Sequence, residues 1–242
     1  MLGTLVNTAA VAVGGAIGVV LKKGIREEWT ASVNKALGIS IMVVGLCGVV
    51  TNMVSVKEGT VLGSSGELIL IISLVLGTLI GEILRLDDRL ANFGARLEKR
   101  FGAGGGFAAG FVNATLITCV GAMAIVGSLQ DGLGGSPMTL YIKSGLDFVT
   151  ATILGATLGA GVIASAAVIL VYQGGITLCA GALQGVLQGE LLTQICAVGF
   201  AIIICIGMNF FVKERIKTLN MLPAILVPVI WWGIRAIAGI AG

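Results

Sequence analysis

Leu146–Leu187, LDFVTATILGATLGAGVIASAAVILVYQGGITLCAGALQGVL, runs for 42 residues with one charged side chain, Asp147. As a helix rising about 1.5 Å per residue it would be roughly twice as long as a hydrocarbon core of about 30 Å is thick. Two crossings must therefore share it, with a turn near Gly159–Ser165 or at Gly174 and Gly175. A chain that folds back through lipid in this way is a polytopic helical membrane protein, and the remaining sequence repeats the pattern.

Outward from that stretch, apolar runs at about 2–21, 36–56, 67–86 and 107–129 precede it, and runs at about 192–212 and 222–237 follow. With 146–164 and 166–187 they give an all-α bundle of about eight crossings, seven being the alternative, in a single integral membrane domain over 1–242. Composition agrees: 57% hydrophobic residues, 11% charged residues and a mean hydropathy of +1.06 leave too little charge for a soluble surface. The first run has its positive charges, Lys22, Lys23 and Arg26, after it, which is the reverse of a secretory signal, so it is read as a membrane helix. Between the third and fourth runs, Leu86, Leu90, Phe93, Leu97 and Phe101 recur at spacings of three or four among Arg89, Arg96, Lys99 and Arg100. That pattern predicts an amphipathic interfacial helix over about 87–101.

Eight crossings place all but Lys57, Lys143 and Arg235 of the 15 Lys and Arg residues on one side. The positive-inside bias makes that side cytoplasmic and turns both termini outward. Seven crossings would move Lys213, Arg215 and Lys217 outside, which the same bias disfavours. The basic residues stand in short groups, so no nucleic-acid partner is expected. Cys47, Cys119, Cys179, Cys196 and Cys205 lie in apolar runs without a C-x-x-C pair, and the chain has no histidine. Neither a disulfide framework nor a zinc site is expected, and any proton relay would rest on carboxylates.

Polar residues inside the apolar runs are the candidates for function, because each needs a partner, a cavity or a ligand in lipid. Gln130, Asp131, Lys143 and Asp147 fall around the junction of the fourth and fifth runs. They could coordinate a cation or an ionic solute group; alternatively Asp131 belongs to a turn, Asp147 stabilises a helix start and Lys143 is their counter-ion. Asn7, Asn52, Asn113 and Gln173 supply neutral oxygens suited to a partly dehydrated monovalent cation, or else bond between helices. Gln173-Gly174-Gly175 also marks a helix that could break and free its carbonyls. Glycine, at 38 of 242 residues, fits small-residue helix packing.

Self-alignment matches Gly45-Leu-Cys-Gly-Val-Val through Gly59 to Thr118-Cys-Val-Gly-Ala-Met through Gly132, with a third copy from Leu178 to Gly189. Internal repeats of this sort underlie many transporters, although Gly and Cys in apolar text also recur by chance. Leu5-Val6-Asn7-Thr8 leading to Gly14-Gly15-Ala16-Ile17-Gly18, the block from Gly121 to Leu133, Lys143-Ser-Gly-Leu-Asp147, Tyr172-Gln-Gly-Gly175 and Asn220-Met-Leu-Pro223 together resemble the YqgA/YdfK-type family of uncharacterised bacterial inner-membrane proteins. The resemblance spans nearly the whole chain. It implies a multi-pass protein of the bacterial cytoplasmic membrane and, through the sodium channel or pump activity suggested for the family, Na+ as a transported or coupling ion.

The leading expectation is thus a transporter or channel for a small solute or monovalent cation. The alternative is a non-transporting membrane organiser acting through partner proteins. No enzyme activity and no cofactor are expected, since His-Glu-x-x-His, Gly-x-Ser-x-Gly and paired facing aspartates are missing. Partners would be the lipid bilayer, the small solute or ion, and further copies in a homo-oligomer.

Overall fold

The computed structural model describes residues 1–22, 27–57, 61–89, 92, 106–119, 122–185, 187 and 189–237. The fold is an all-α polytopic bundle. Its elements are α1 (Leu2–Lys22), α2 (Glu27–Met53), β1 (Val54–Lys57), β2 (Val61–Ser64), α3 (Glu67–Leu84), α4 (Phe107–Cys119), α5 (Ala122–Gly132), α6 (Met138–Leu158), α7 (Gly161–Leu178), α8 (Ala180–Leu183), α9 (Gly189–Met208), a 3-10 segment (Thr218–Ile225) and α10 (Leu226–Ile237). The two strands form an antiparallel hairpin pairing Val54 with Ser64 and Lys57 with Val61.

Among the described residues, six helical stretches are long and apolar enough to cross a membrane, and a bent pair, α4 with α5, makes seven. α6 has the length to cross at 21 residues but carries Lys143 and Asp147. Large apolar side chains stand open on these helices, with Leu68 71% and Ile83 80% exposed, as lipid-facing positions require.

The structure corrects several expected boundaries. The helix expected over 146–164 occupies 138–158, because Pro137 at its N-cap starts it earlier, and the one expected over 166–187 occupies 161–178. The break falls at Gly159, whose φ of 87° suits glycine and few other residues. Gln173-Gly174-Gly175 does not break: the helix continues, and the Cys179 N–H still donates to the Gly175 carbonyl at 3.0 Å. The crossing expected over 107–129 is bent by 65° between α4 and α5. α3 stops at Leu84, where Arg85 turns left-handed with φ 51°. The last crossing starts early, in the 3-10 segment that contains Pro223, since proline removes an α-helical donor. Of the expected interfacial helix, one turn at 86–89 is present, and residues 90, 91 and 93–101 lie outside the described residues. The three repeat-like segments take different courses: the first continues a helix into β1, the second spans the α4–α5 bend and the third includes α8.

The chain gathers into two compact units, Met1–Leu37 with Arg89–Val186 and Gly38–Asp88 with Leu187–Gly242. In the first, α1 lies along α6 with almost no side chain between them. A Cβ at Gly14 would strike the Phe148 carbonyl oxygen, and one at Gly18 would strike that of Thr152. The buried face of α1, Thr4, Asn7, Val11, Gly14, Gly15 and Gly18, follows the three-and-four spacing of a helix stripe. Small residues thus let the backbones approach, which is how helices gain packing energy where lipid removes the hydrophobic drive.

In the second unit the same device joins α3 to the 3-10 segment, where Gly81 faces the Asn220 carbonyl and Gly77 faces Ala224. The Asn220 Oδ1 accepts the Asp87 N–H at 2.8 Å. Asn209 brackets the following loop, donating to the Ile216 carbonyl at 3.0 Å and accepting the Ile216 N–H at 2.7 Å. Arg215 lies 3.6 Å from Asp87 and Lys217 lies 3.5 Å from Glu82, so the basic cluster is tied to the end of α3.

Candidate functional site

Most buried hydroxyls in the first unit are satisfied by their own helix: Thr118 donates to the Ala114 carbonyl, Ser128 to Ala124, Ser144 to Leu140 and Ser165 to Val162. These side chains bond back to the preceding turn and need nothing further. A second group of polar side chains instead reaches from helix to helix.

This group forms two rungs between α1 and α7. In the first, the Thr4 and Thr177 hydroxyls lie 3.0 Å apart. In the second, the Asn7 Nδ2 donates to Gln173 Oε1 at 3.1 Å. Helix geometry sets the spacing, since Thr4 and Asn7 are three residues apart on α1 and Gln173 and Thr177 are four apart on α7. Asn7 and Gln173 are both 0% exposed.

Asp131, at the end of α5, closes the Thr4 end. Its Oδ2 accepts the Thr4 N–H at 3.2 Å and the Thr4 hydroxyl at 3.4 Å, and lies 2.9 Å from the Met1 amino group. The Thr4 N–H belongs to the first turn of α1, which has no acceptor within the helix, so a carboxylate there is doubly favourable. On α6, Lys143 donates to Asp147 one turn further on, and both side chains are buried. The Asn7 amide also lies close enough to the Asp147 carboxylate to act on it, so the ion pair neighbours the second rung.

Two atoms in the assembly have no partner: Asn7 Oδ1 and Gln173 Nε2. One is an acceptor and the other a donor. Leaving such groups buried and unpaired costs about 1–3 kcal/mol each, so both call for a partner that the neighbouring side chains do not supply. A Cβ added at Gly174, the next residue along α7, would meet nothing within 4 Å.

Five of the eight sequence candidates therefore converge: Asn7, Asp131, Lys143, Asp147 and Gln173. The alternative in which Asp147 stabilises a helix start does not hold, because α6 begins at Met138 and places both Lys143 and Asp147 inside it. Gln130 points elsewhere, accepting from the Thr139 hydroxyl at 2.8 Å. Asn52 lies in the second unit and donates to the Gly48 carbonyl of its own helix at 2.7 Å. Asn113 is half-buried on α4. Thr4 and Thr177 were missed, although their spacing from Asn7 and Gln173 was a usable signal. Among the described residues, no group of three or more histidine, cysteine or acidic side chains is arranged to hold a metal ion.

Residues 2–232 match the family described as "Protein of unknown function (DUF554)". The chain is 29% identical over 228 residues to the "Uncharacterized membrane protein YdfK" of Bacillus subtilis, covering 94% of each. It is 25% identical over 235 residues to the "Uncharacterized protein YqgA" of Escherichia coli, again covering 94% of each. No solved structure matches the chain. With the match running through every helix that builds the polar assembly, the chain belongs to the DUF554 family of membrane proteins.

Proposed function

We propose that the protein is a transporter or channel for a small solute or monovalent cation, and that its path passes the assembly of Asn7, Gln173, Lys143 and Asp147. The single observation that carries this reading is the pair of wholly buried carboxamides, one with an open acceptor and one with an open donor, beside a buried ion pair. A scaffold gains from such groups only when they satisfy one another, because interhelical hydrogen bonds in lipid contribute roughly 0.6–2 kcal/mol and unpaired groups cost as much or more. A binding site, in contrast, needs groups left open for its ligand. The rigid α1–α6 contact supports this by holding the side chains at fixed positions.

The reading has the protein in the bacterial cytoplasmic membrane with both termini outward, following the distribution of basic residues. It requires no cofactor and no enzymatic step, and it is compatible with a homo-oligomer. The test is flux through purified protein in proteoliposomes, with currents recorded on a solid-supported membrane and isotope uptake for electroneutral solutes. Saturable movement of one solute supports the reading. A folded protein that moves none of the ions, amino acids and small carboxylates offered, under any gradient, contradicts it.

A further inference from the structure

The open and charged atoms of the assembly define the ligand that would complete it. There is one anion, Asp147, and one cation, Lys143, adjacent and paired with each other. There is one free acceptor, Asn7 Oδ1, and one free donor, Gln173 Nε2, on side chains already bonded together. Asn7 bonds to Gln173 and lies near Asp147, which pairs with Lys143, so the four side chains form one continuous series of polar groups.

We infer that the ligand is a small zwitterion: its ammonium meets Asp147 and the Asn7 carbonyl oxygen, and its carboxylate meets Lys143 and the Gln173 amide. The inference rests on the transport reading and names its substrate class. Charge bookkeeping favours it over a single ion. A zwitterion inserted between Lys143 and Asp147 replaces one ion pair with two and leaves the buried net charge at zero. A lone cation would claim Asp147 and strand Lys143, and a lone anion would do the reverse, each leaving an uncompensated charge in a medium of low dielectric.

The neighbouring ionisable groups do not upset this balance. On α5, Asp131 is held by the Thr4 N–H and the Met1 amino group. On α4, the Cys119 thiol is near enough to sense both Lys143 and Asp147. The ligand must also be small. Val11, one turn along α1 from Asn7, is wholly buried, and beyond it the Gly14 and Gly18 contacts bring the α1 and α6 backbones together. The four side chains are buried, which limits a ligand to a few heavy atoms, the size of glycine, alanine or β-alanine.

The experiment is uptake of labelled glycine, alanine and β-alanine by the full chain in proteoliposomes, against ethylamine and propionate, which keep one charge each. The expected result is saturable uptake of at least one zwitterion that tenfold excesses of ethylamine or propionate do not displace. The Lys143→Met, Asp147→Leu double variant removes both charges and strands neither, so it should fold while losing uptake by about tenfold or more. Should it not fold, Gln173→Met carries the same test, and a zwitterion-specific rise in thermal stability of the wild-type protein provides a second readout. Flux confined to monovalent cations or to one-charge solutes would overturn the inference and leave the transport reading standing. Equal zwitterion uptake by wild type and folded variant would also overturn it. No flux of anything through folded protein would overturn both.

Discussion

The Asn7 amide donates to Gln173 Oε1 at 3.1 Å, joining residues 166 positions apart inside a membrane bundle while leaving Asn7 Oδ1 and Gln173 Nε2 open. The bond contributes to helix association, and the open atoms offset that gain. Replacing Asn7 alone with Leu should strand the Gln173 carbonyl and cost about 1–3 kcal/mol. The double replacement Asn7→Leu, Gln173→Leu should cost less than the two single changes added together. Thermal unfolding in detergent measures both, and strictly additive losses would mean the two amides are not coupled.

Lys143 and Asp147 form a buried pair one helical turn apart. Lys143→Met or Asp147→Leu alone leaves an uncompensated charge, so each should destabilise by about 3–5 kcal/mol. Combined, the two changes should restore stability to within about 1–2 kcal/mol of wild type. Single variants as stable as wild type would show the pair to be hydrated rather than buried.

Glycines on α1 and α7 should respond oppositely to a side chain. Gly18→Val forces a side chain onto the Thr152 carbonyl and should cost at least about 1–3 kcal/mol. Gly174→Ala meets open space and gains helix propensity, so it should be neutral or stabilising by up to about 1 kcal/mol. Melting temperatures of the two variants, compared in one detergent, check the contrast.

Cysteine labelling in a cysteine-free background tests which side of the membrane each loop faces. A cysteine at Ser136, in the loop before α6, should react with an impermeant maleimide in intact cells, and one at Glu214, among the basic residues after α9, only after permeabilisation. The reverse pattern would invert the expected orientation.

The class of fold was readable because hydropathy reports directly on lipid exposure, and the run Leu146–Leu187 does hold parts of two helices, α6 and α7. Boundaries were less readable, since glycine is used for both turning and close packing. Gly159 takes a positive φ and ends a helix, whereas Gly174 and Gly175, equally suspect in sequence, continue one. The α4–α5 bend gave no proline to announce it. In the site, Asn7 and Gln173 stood out as polar residues in apolar text, but their pairing depends on tertiary contact across 166 positions and leaves no local mark. Thr4 and Thr177 could have been found by asking what shares a helical face with them. Gln130 and Asn52 were equally conspicuous in sequence, yet short-range partners absorb them.

Transport past Asn7, Gln173, Lys143 and Asp147 is tested most directly by solute flux through purified, folded protein in proteoliposomes, comparing wild type with the Lys143→Met, Asp147→Leu variant across zwitterions, one-charge organic ions and monovalent cations. Wild type should show saturable flux of a small solute, and the folded variant should lose it. A wild-type protein that moves none of them, or a variant that moves the same solute equally well, would contradict it.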